Sequence, residues 1–221
     1  MQKEIIFTND GSNSIYNNDI NESYHSKHGA IVEAEHVFIR NGLIGCLKNN
    51  LKILEIGFGT GLNTLLTAIK AKQKKWKIHY HTIEKYPIED SYYKNLNFTQ
   101  LIGCEKDSLI QIHEAKWEKE IQINPYFKLT KNMIDIKEYE SNIKFDIIFF
   151  DAFSPEKQPE MWTEKVFLKM NGLLQHPGSL VTYCAKGSVK RKLKSAGFEV
   201  ISLDGPPGKR QMIKANKKLI L

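Results

Sequence analysis

The feature that most constrains the fold is a short apolar segment that runs directly into three glycines at alternate positions. Residues 53–56 form this segment, and Gly57, Gly59 and Gly61 follow it, before a helix-forming stretch begins at Leu62. Glycine has no Cβ and tolerates positive φ, so the pattern predicts a buried strand that turns sharply into a helix. The free N–H groups at the start of such a helix would face a polar ligand.

The spacing of the glycines indicates which ligand the turn would bind. The order is G-x-G-x-G, which differs from the G-x-G-x-x-G of dinucleotide-binding folds and from the G-x-x-x-x-G-K-[ST] of P-loops. Glu55 stands before the first glycine and completes E-x-G-x-G-x-G, a pattern typical of sites for S-adenosylmethionine (SAM). An ordinary glycine-rich turn is the alternative, and the rest of the chain favours the ligand site.

Beyond residue 51, predicted strands and helices alternate along the chain. Alternation of this kind predicts an α/β domain of Rossmann-like architecture, with a mostly parallel seven-stranded sheet and helices on both faces. The continuous apolar run Ile147–Phe150 indicates a central strand that is buried on both faces. The predicted strands are Lys52–Ile56, Ile78–Glu84, Tyr126–Leu129, Phe145–Asp151, Ser179–Cys184, Glu199–Leu203 and Gln211–Ala215. The predicted helices are Leu62–Lys72, Pro87–Leu96, Leu101–Trp117, Ile136–Tyr139, Thr163–Met170 and Ser188–Ala196.

The first 45 residues lack this alternation and are predicted to form a small N-terminal extension. Glu4–Thr8 predicts a short strand, Ser14–Tyr16 its hairpin return, and Gly29–Asn41 a helix with apolar residues at helical spacing. We therefore expect residues 1–45 to pack on a main domain formed by residues 46–221.

Composition narrows the class of protein. The chain has 221 residues, of which 41% are hydrophobic, and this suits one globular domain of ordinary core size. Its apolar runs are too short to cross a membrane, and no secretory signal follows Met1. The three cysteines form no C-x-x-C pair, so neither a zinc site nor a disulfide framework is expected and a reducing cytoplasm is favoured.

The charge of the chain favours a polyanionic partner such as RNA or DNA, because the formal net charge is +7. A general lysine bias would give the same value. Lys190 and Arg191 lie on a predicted amphipathic helix, and Lys209 and Arg210 close a Gly-Pro-Pro-Gly loop. All four are candidates for phosphate contacts. The alternatives are a solvated helix face and a simple hairpin turn.

Two acidic residues lie where the second and third predicted strands end, at the edge where open α/β sheets bind ligands. Glu84 is expected to accept hydrogen bonds from both hydroxyls of a ribose, and the alternative is a capping or surface carboxylate. Asp135 is a candidate acceptor for an adenine amino group, with apolar neighbours to cover the ring. Asp135 is equally well placed to be the N-cap of a helix that starts at Ile136.

A third carboxylate, Asp151, ends the fourth predicted strand and opens the segment D-A-F-S-P. Its place in the chain resembles that of the D/N-P-P-Y/F segment of amino-directed methyltransferases. A carboxylate there can orient an amine and take up its proton, and Phe153 could flank a planar substrate. The alternative is that Asp151 only caps the turn before Pro155.

Several motifs together resemble one family, the MnmC-like methyltransferases. Residues 151–163 read D-A-F-S-P-E-K-Q-P-E-M-W-T, which is similar to the family signature D-A-F-x-P-x-x-x-P-x-M-W. The segment Gly57–Asn63 matches the family's cofactor turn, and residues 84–87 match its E-K-[FY]-P. The similarity runs from about Ser14 to the C-terminus and includes a Y-x-S at Tyr24 and an E-x-x-x-V-F at Glu33.

The resemblance implies a class I SAM-dependent methyltransferase that acts on tRNA. The family converts 5-aminomethyl-2-thiouridine at the wobble position to 5-methylaminomethyl-2-thiouridine. In many bacteria this domain is fused to an FAD-dependent oxidoreductase. The sequence contains no G-x-G-x-x-G, so a stand-alone enzyme without FAD is expected. Such an enzyme would be coupled functionally to the enzymes that install the aminomethyl group. The residues implied at the amine are Asp151 and Phe153. The residues implied at SAM are Tyr24, Glu55, Gly57, Phe58, Gly59, Gly61, Asn63, Glu84, Lys85, Asp135 and Asp151.

The expected chemistry is a direct displacement, in which a neutral primary amine attacks the methyl carbon without a metal or a covalent intermediate. One alternative is an aminopropyltransferase, which would need an acidic pocket for a polyamine, and the basic tail argues against it. Another is a methyltransferase for a protein or a small amine, since the fold does not dictate the substrate. The last alternative is a non-catalytic RNA-binding module, and the intact glycine turn with Glu84 and Asp151 argues against it.

Overall fold

The protein is described here by a computed structural model that covers residues 3–46 and 48–219. Its N-terminal part forms a small antiparallel sheet of three strands, β1 (Lys3–Phe7), β2 (Asn13–Asn17) and β3 (Glu22–Ser23). A helix follows, which begins as α1 (Ala30–Ala34) and continues with π-helical geometry over Glu35–Leu43. The predicted hairpin and helix of this region are confirmed.

The main sheet has eight strands in the order β10-β11-β9-β8-β4-β5-β7-β6. The strands β4, β5, β7, β8 and β9 pair in parallel, and β6, β10 and β11 pair antiparallel with their neighbours. The chain runs from β4 to β5 on one side and returns to β8 on the other, so the topological switch point lies between β4 and β8. The strand bounds are β4 Asn50–Ile56, β5 Lys77–Ile83, β6 Glu120–Asn124, β7 Phe127–Asn132, β8 Phe145–Phe150, β9 Leu174–Thr182, β10 Phe198–Asp204 and β11 Gln211–Lys217.

Helices cover both faces of this sheet, as the alternation predicted. One apolar layer joins the sheet to the N-terminal helix, α2 and α5, and the other joins it to α6 and α7. All six residues of β8 are buried, as expected for a central strand between two layers. The helix bounds are α2 Leu62–Lys74, α3 Asp90–Tyr93, α4 Phe98–Ile102, α5 Ser108–Glu114, α6 Glu164–Leu173 and α7 Gly187–Ser195, with a short 3₁₀ turn at Pro159–Trp162.

The N-terminal segment shares its core with the main sheet. Val37, Phe38 and Leu43 of the π-helical turns are buried in the same apolar cluster as Phe149 of β8. The rings of Phe38 and Phe149 lie 5.3 Å apart between centroids. Burial of these side chains stabilises the N-terminal helix against the sheet. The division of the chain at residue 46 stays a prediction.

Four details of the predicted secondary structure are wrong. The predicted helix Leu101–Trp117 is two short helices, because Gly103 adopts a left-handed conformation with φ 73° and ends α4. The sheet has an eighth strand, β6, which forms a hairpin with β7. Ile136–Tyr139 forms a turn instead of a helix, and only Asp90–Tyr93 of the predicted helix Pro87–Leu96 is helical.

The structure also bears on membranes and metals within the described ranges. Over residues 3–46 and 48–219, no helix combines the length and apolarity needed to cross a membrane. Nor do three or more His, Cys, Asp or Glu side chains of these ranges come together as a metal-binding group.

Candidate active site

A cleft of about 790 Å³ opens where β4, β5 and β8 end, at the switch point of the sheet. The N-terminal segment closes one side of it, since residues of β3 and of the N-terminal helix line the wall. Nine of the predicted site residues share this cleft. They are Tyr24, Gly57, Gly59, Glu84, Lys85, Asp135, Asp151, Phe153 and Lys209.

The glycine turn lies at the floor of the cleft, where backbone must approach backbone closely. Gly57 has φ 89°, and a Cβ on it would lie 2.6 Å from the carbonyl oxygen of Asp151. Gly59 has φ 48°, and a Cβ there would lie 3.1 Å from the ring of Tyr24. A larger residue at Gly57 would collide with the Asp151 backbone and one at Gly59 would press on Tyr24, so only glycine allows this close-packed turn at the cleft.

Glu84 extends from the end of β5 with its carboxylate oriented by the backbone. Its Oε2 accepts a hydrogen bond from the N–H of Gly59 at 3.0 Å, and its Oε1 accepts one from the N–H of Tyr86 at 2.9 Å. Burial raises the pKa of this carboxyl, and the two N–H donors oppose that shift. Each oxygen has a second lone pair that can accept another hydrogen bond, and Glu84 lines the cleft. Two such acceptors fit the two hydroxyls of a ribose.

Asp135 lies on the same side of the cleft, in a turn between two apolar residues. Its Oδ1 accepts a hydrogen bond from the N–H of Lys137 at 2.9 Å, and its Oδ2 pairs with the Lys85 ammonium at 3.1 Å. The backbone donor and Lys85 lower the pKa of Asp135 against the opposing effect of burial. Ile134 and Ile136 line the cleft on either side. Asp135 thus caps a turn and lines the cleft between two apolar residues, and its contact with an adenine stays a prediction.

Asp151 directly follows β8 and lies beside the glycine turn. Its N–H donates to the carbonyl of Ile56 at 2.9 Å, and its Oδ2 accepts from Nδ2 of Asn63 at 2.8 Å. Burial raises the pKa of this carboxyl to about 7, and the nearby charge of Glu33 adds to the shift. A carboxylate whose pKa lies near the ambient pH can both accept and release a proton.

Two aromatic rings form the wall next to Asp151. The rings of Tyr24 and Phe153 meet edge to face, with centroids 4.9 Å apart. Nε1 of Trp162 donates to the carbonyl of Phe153 at 2.7 Å, and the hydroxyl of Tyr183 donates to the carbonyl of Ala152 at 2.9 Å. These bonds hold the D-A-F segment in place, which explains why a tryptophan and this segment occur in one motif.

Four predicted SAM residues lie outside the main cleft and support the glycine turn from behind. Glu55 is fully buried, accepts hydrogen bonds from the hydroxyls of Thr64 (3.0 Å) and Thr82 (2.7 Å), and has a pKa that burial raises to about 8. The Phe58 ring packs on His113, with centroids 4.9 Å apart. The other two are Gly61, the N-cap of α2, and Asn63, the partner of Asp151. Their contact with SAM stays a prediction.

The structure brings two further carboxylates to the site: Glu22, which the sequence did not single out, and Glu33, which the sequence marked only as part of the E-x-x-x-V-F motif and without a role. Glu22 accepts from the backbone N–H of Ser154 at 3.2 Å and from its hydroxyl at 3.0 Å. Glu33 accepts from the N–H of Ser26 at 3.0 Å and pairs with the ammonium of Lys209. Both line the cleft on the side of Asp151. For Glu33 a signal was available, since a glutamate stood among the apolar residues of a predicted helix.

The four predicted phosphate contacts do not lie together. Arg191 and Arg210 are exposed, and Lys190 donates to Oε1 of Gln211 at 2.9 Å on the outside of α7. Lys209 instead points into the cleft, where it meets Glu33. The structure therefore separates Lys209 from the other three cations.

The order of the sheet and the position of this cleft define a class of protein. A glycine turn after the first parallel strand, a carboxylate after the second, and a ligand cleft at the switch point together form the fold of class I SAM-dependent methyltransferases. A family model for S-adenosyl-L-methionine-dependent methyltransferases matches residues 104–218, and the chain belongs to that family.

Two relatives carry the same name, "tRNA 5-methylaminomethyl-2-thiouridine biosynthesis bifunctional protein MnmC". The protein from Cupriavidus metallidurans is 32% identical over 228 residues, an alignment that covers 95% of this chain and 33% of that protein. The protein from Campylobacter hominis is 30% identical over 210 residues, covering 91% of this chain and 31% of the relative. The chain thus spans about a third of the length of these relatives.

A solved structure agrees with them. The crystal structure of MNMC2 from Aquifex aeolicus superimposes with a TM-score of 0.79 at 26% identity, over 99% of this chain and 71% of that one. The resemblance inferred from residues 151–163 is therefore confirmed, and so is the fold class, with one strand more than predicted.

Proposed function

We propose that this protein transfers a methyl group from SAM to the primary amine of 5-aminomethyl-2-thiouridine at the wobble position of tRNA, forming 5-methylaminomethyl-2-thiouridine. The observation that carries the proposal is Asp151, a half-buried carboxylate that lines the cleft beside the glycine turn and whose pKa is raised to about 7. The names of the MnmC relatives support the choice of substrate.

The chemistry requires an amine without its proton. An alkylamine is protonated near pH 7 and must lose that proton before its lone pair can attack carbon. SAM, when bound, supplies an electrophilic methyl group on a sulfonium sulfur. In this proposal Asp151 would hydrogen-bond the amine and accept its proton, and Phe153 would flank the uracil ring. The bond from Asn63 holds the Asp151 carboxylate in one orientation for this task.

The SAM contacts in this proposal follow the geometry of the cleft. Gly57 and Gly59 would face the methionine part, Tyr24 would cover it, and Glu84 would bind the ribose hydroxyls. Lys85 would orient Asp135 at the adenine through the ion pair that joins them. Glu55, Phe58, Gly61 and Asn63 would act by holding the turn in shape.

The tRNA would lie across the mouth of the cleft, with its phosphates near the cationic outer surface. Lys190, Arg191 and Arg210 are the proposed backbone contacts, because their charges lie on the outside of the domain. The reaction would take place in the cytoplasm, downstream of the enzymes that install the aminomethyl group.

The experiment is methyl transfer from labelled SAM to tRNA that carries the aminomethyl group but lacks the final methyl. Nucleoside mass analysis would show a gain of one methyl on 5-aminomethyl-2-thiouridine. SAM binding without methyl transfer would support SAM as the cofactor and refute this tRNA as the substrate.

A second candidate is transfer to a small amine, as methyl or aminopropyl donation. The observation in its favour is that the cleft is lined by several carboxylates besides those assigned to SAM, and these would attract a small cation. They include Asp19, Glu22, Glu33 and Glu160. Assays with short diamines in place of tRNA would separate the two candidates, since only the second predicts turnover without RNA.

A further inference from the structure

The ammonium of Lys209 occupies a cation site inside the cleft. Its Nζ pairs with Oε1 of Glu33 and lies 4.0 Å from the centroid of the Tyr183 ring. The Glu33 side chain is 11% exposed and that of Lys209 is 31% exposed. A carboxylate and an aromatic face in a half-buried setting form a recognised arrangement for binding a primary ammonium.

The proposed substrate presents the same chemical group. The aminomethyl group of the modified uridine is a primary alkylammonium before it loses its proton, as is the end of a lysine side chain. Glu33 and Tyr183 line the same cleft as Asp151 and Phe153. A site that accepts one of these ammonium groups has the shape and charge to accept the other.

We propose that Glu33 and Tyr183 form the subsite for the substrate's ammonium, and that Lys209 occupies this subsite in the free protein and is displaced when the substrate enters. The inference rests on the proposed function, since it requires an amine substrate. It makes Glu33 a specificity-determining residue and Lys209 an internal competitor.

The displacement requires only a side-chain movement. The backbone at Lys209 is held in place, because its N–H donates to the carbonyl of Pro206 at 2.9 Å and the neighbouring Gly208 packs directly on the ring of His28. The lysine side chain is flexible and already partly exposed, so its ammonium can rotate out to water. Glu33 stays fixed by the N–H of Ser26 and keeps a cation as its partner throughout.

The subsite also explains how the proton leaves the amine. Glu33 would hold the substrate as an ammonium, next to Asp151. The ammonium then transfers one proton to the Asp151 carboxylate, which leaves a neutral amine and a protonated Asp151. Glu33 remains ionised in this step. One proton moves, the ammonium and the Asp151 carboxylate both become neutral, and the net charge of the site is unchanged.

The experiment compares the binding of two tRNA preparations, one with the aminomethyl group and one without any modification at the wobble position. The measured quantity is the dissociation constant for the unmodified tRNA divided by that for the aminomethyl tRNA. Contacts to the rest of the tRNA cancel in this ratio. We expect E33Q to lower this ratio by about tenfold, as the loss of a charge-assisted hydrogen bond implies. We expect K209M to raise the ratio several-fold, since it removes the competitor but keeps the length of the side chain.

Two controls accompany these variants. Lys74→Met removes an exposed lysine at the far end of α2 and should leave the ratio unchanged. SAM affinity, measured by calorimetry, verifies that each variant is folded with an intact cofactor site.

The outcomes separate the inference from the proposed function. If the wild-type protein methylates aminomethyl tRNA but neither E33Q nor K209M changes the ratio, the subsite is refuted and the function stands. A ratio that falls in both variants would also overturn the proposal, because Lys209 would then position Glu33 instead of competing for it. A wild-type protein that neither methylates this tRNA nor distinguishes the two preparations would refute both.

Discussion

Replacing Asp151 with asparagine tests the proposed proton acceptor with the least structural change. Asparagine has the same shape, and its Oδ1 can still accept the hydrogen bond that Asn63 donates to Oδ2 at 2.8 Å. What is lost is the ability to take a proton. Loss of a general base costs about 10²- to 10⁴-fold in rate, so kcat should fall by that factor. The affinity for SAM, measured by calorimetry, should change little.

The same pair of proteins gives a pH signature. With a pKa of about 7, Asp151 is about one-tenth ionised at pH 6 and nine-tenths ionised at pH 8, so the contribution of its ionised form to kcat/KM should rise roughly tenfold over that range. The asparagine variant should lack this titration and should depend instead on the neutral form of the amine, whose fraction increases about a hundredfold over the same range because an alkylamine titrates well above pH 8. An equal loss of SAM affinity would show that Asp151 is a cofactor ligand, and a variant that keeps the tenfold rise would show that another group accepts the proton.

Stability offers an independent readout of the same carboxyl. Burial raises the pKa of Asp151 in the folded protein above its unfolded value, so the folded state binds more protons between about pH 4 and pH 7. Its contribution to stability is therefore present at low pH and is lost as the pH rises through about 7. The asparagine variant should be more stable than the wild type at pH 8, by roughly 4 kcal/mol at most, and close to it at pH 4. Thermal unfolding at both pH values would measure this, and a variant less stable at pH 8 would contradict the argument.

Three further changes probe the cleft and the outer surface. Gly57→Ala should abolish activity and destabilise the fold by about 1–3 kcal/mol, because its Cβ would lie 2.6 Å from the Asp151 carbonyl at φ 89°. The matched control is Gly172→Ala, which has open space in α6 and should raise the free energy of unfolding by up to about 1 kcal/mol. Equal melting temperatures for the two variants would refute this account. Glu84→Gln should weaken SAM binding about tenfold and leave kcat at saturating SAM nearly unchanged, so a loss confined to kcat would remove Glu84 from the ribose. Arg191→Gln should reduce the slope of log affinity for tRNA against log salt by about one unit, and an unchanged slope would place the tRNA elsewhere.

Local patterns in the sequence were enough to predict the floor of the cleft. The strand, the glycine turn and the helix that follows are contiguous, so residue order alone specifies the turn. The backbone that Gly57 approaches belongs to Asp151 at the end of β8, and only the pairing of β4 with β8 brings it there. Glu84 and Asp151 were predictable for a related reason, since residues that end neighbouring parallel strands meet at one edge of the sheet. The alternation of strands and helices likewise predicted the doubly covered sheet, and the motif beginning at Asp151 predicted the family.

Periodicity failed where a short segment can adopt more than one structure. The helix predicted over 101–117 contains Gly103, which ends α4. The edge strand β6 reads E-I-Q-I-N, and this alternation of polar and apolar residues extends over only five residues, too few to identify a strand. An edge strand is stabilised mainly by pairing with its neighbour, here β7, and that partner cannot be read from the strand itself.

Only the tertiary structure decided which way the side chains of the site face. Glu55 belongs to the same motif as Gly57, yet it points away from the cleft to two threonine hydroxyls. Lys209 and Arg210 are neighbours in the chain, but one enters the cleft and the other faces solvent. The pair of Glu33 and Lys209 joins positions 176 residues apart. The sequence determined the strands, the glycine turn and the acidic residues that end the strands, because these depend on residues close together in the chain. The ion pair of Glu33 and Lys209 depends on distant segments that packing brings together, and no local pattern encodes that contact.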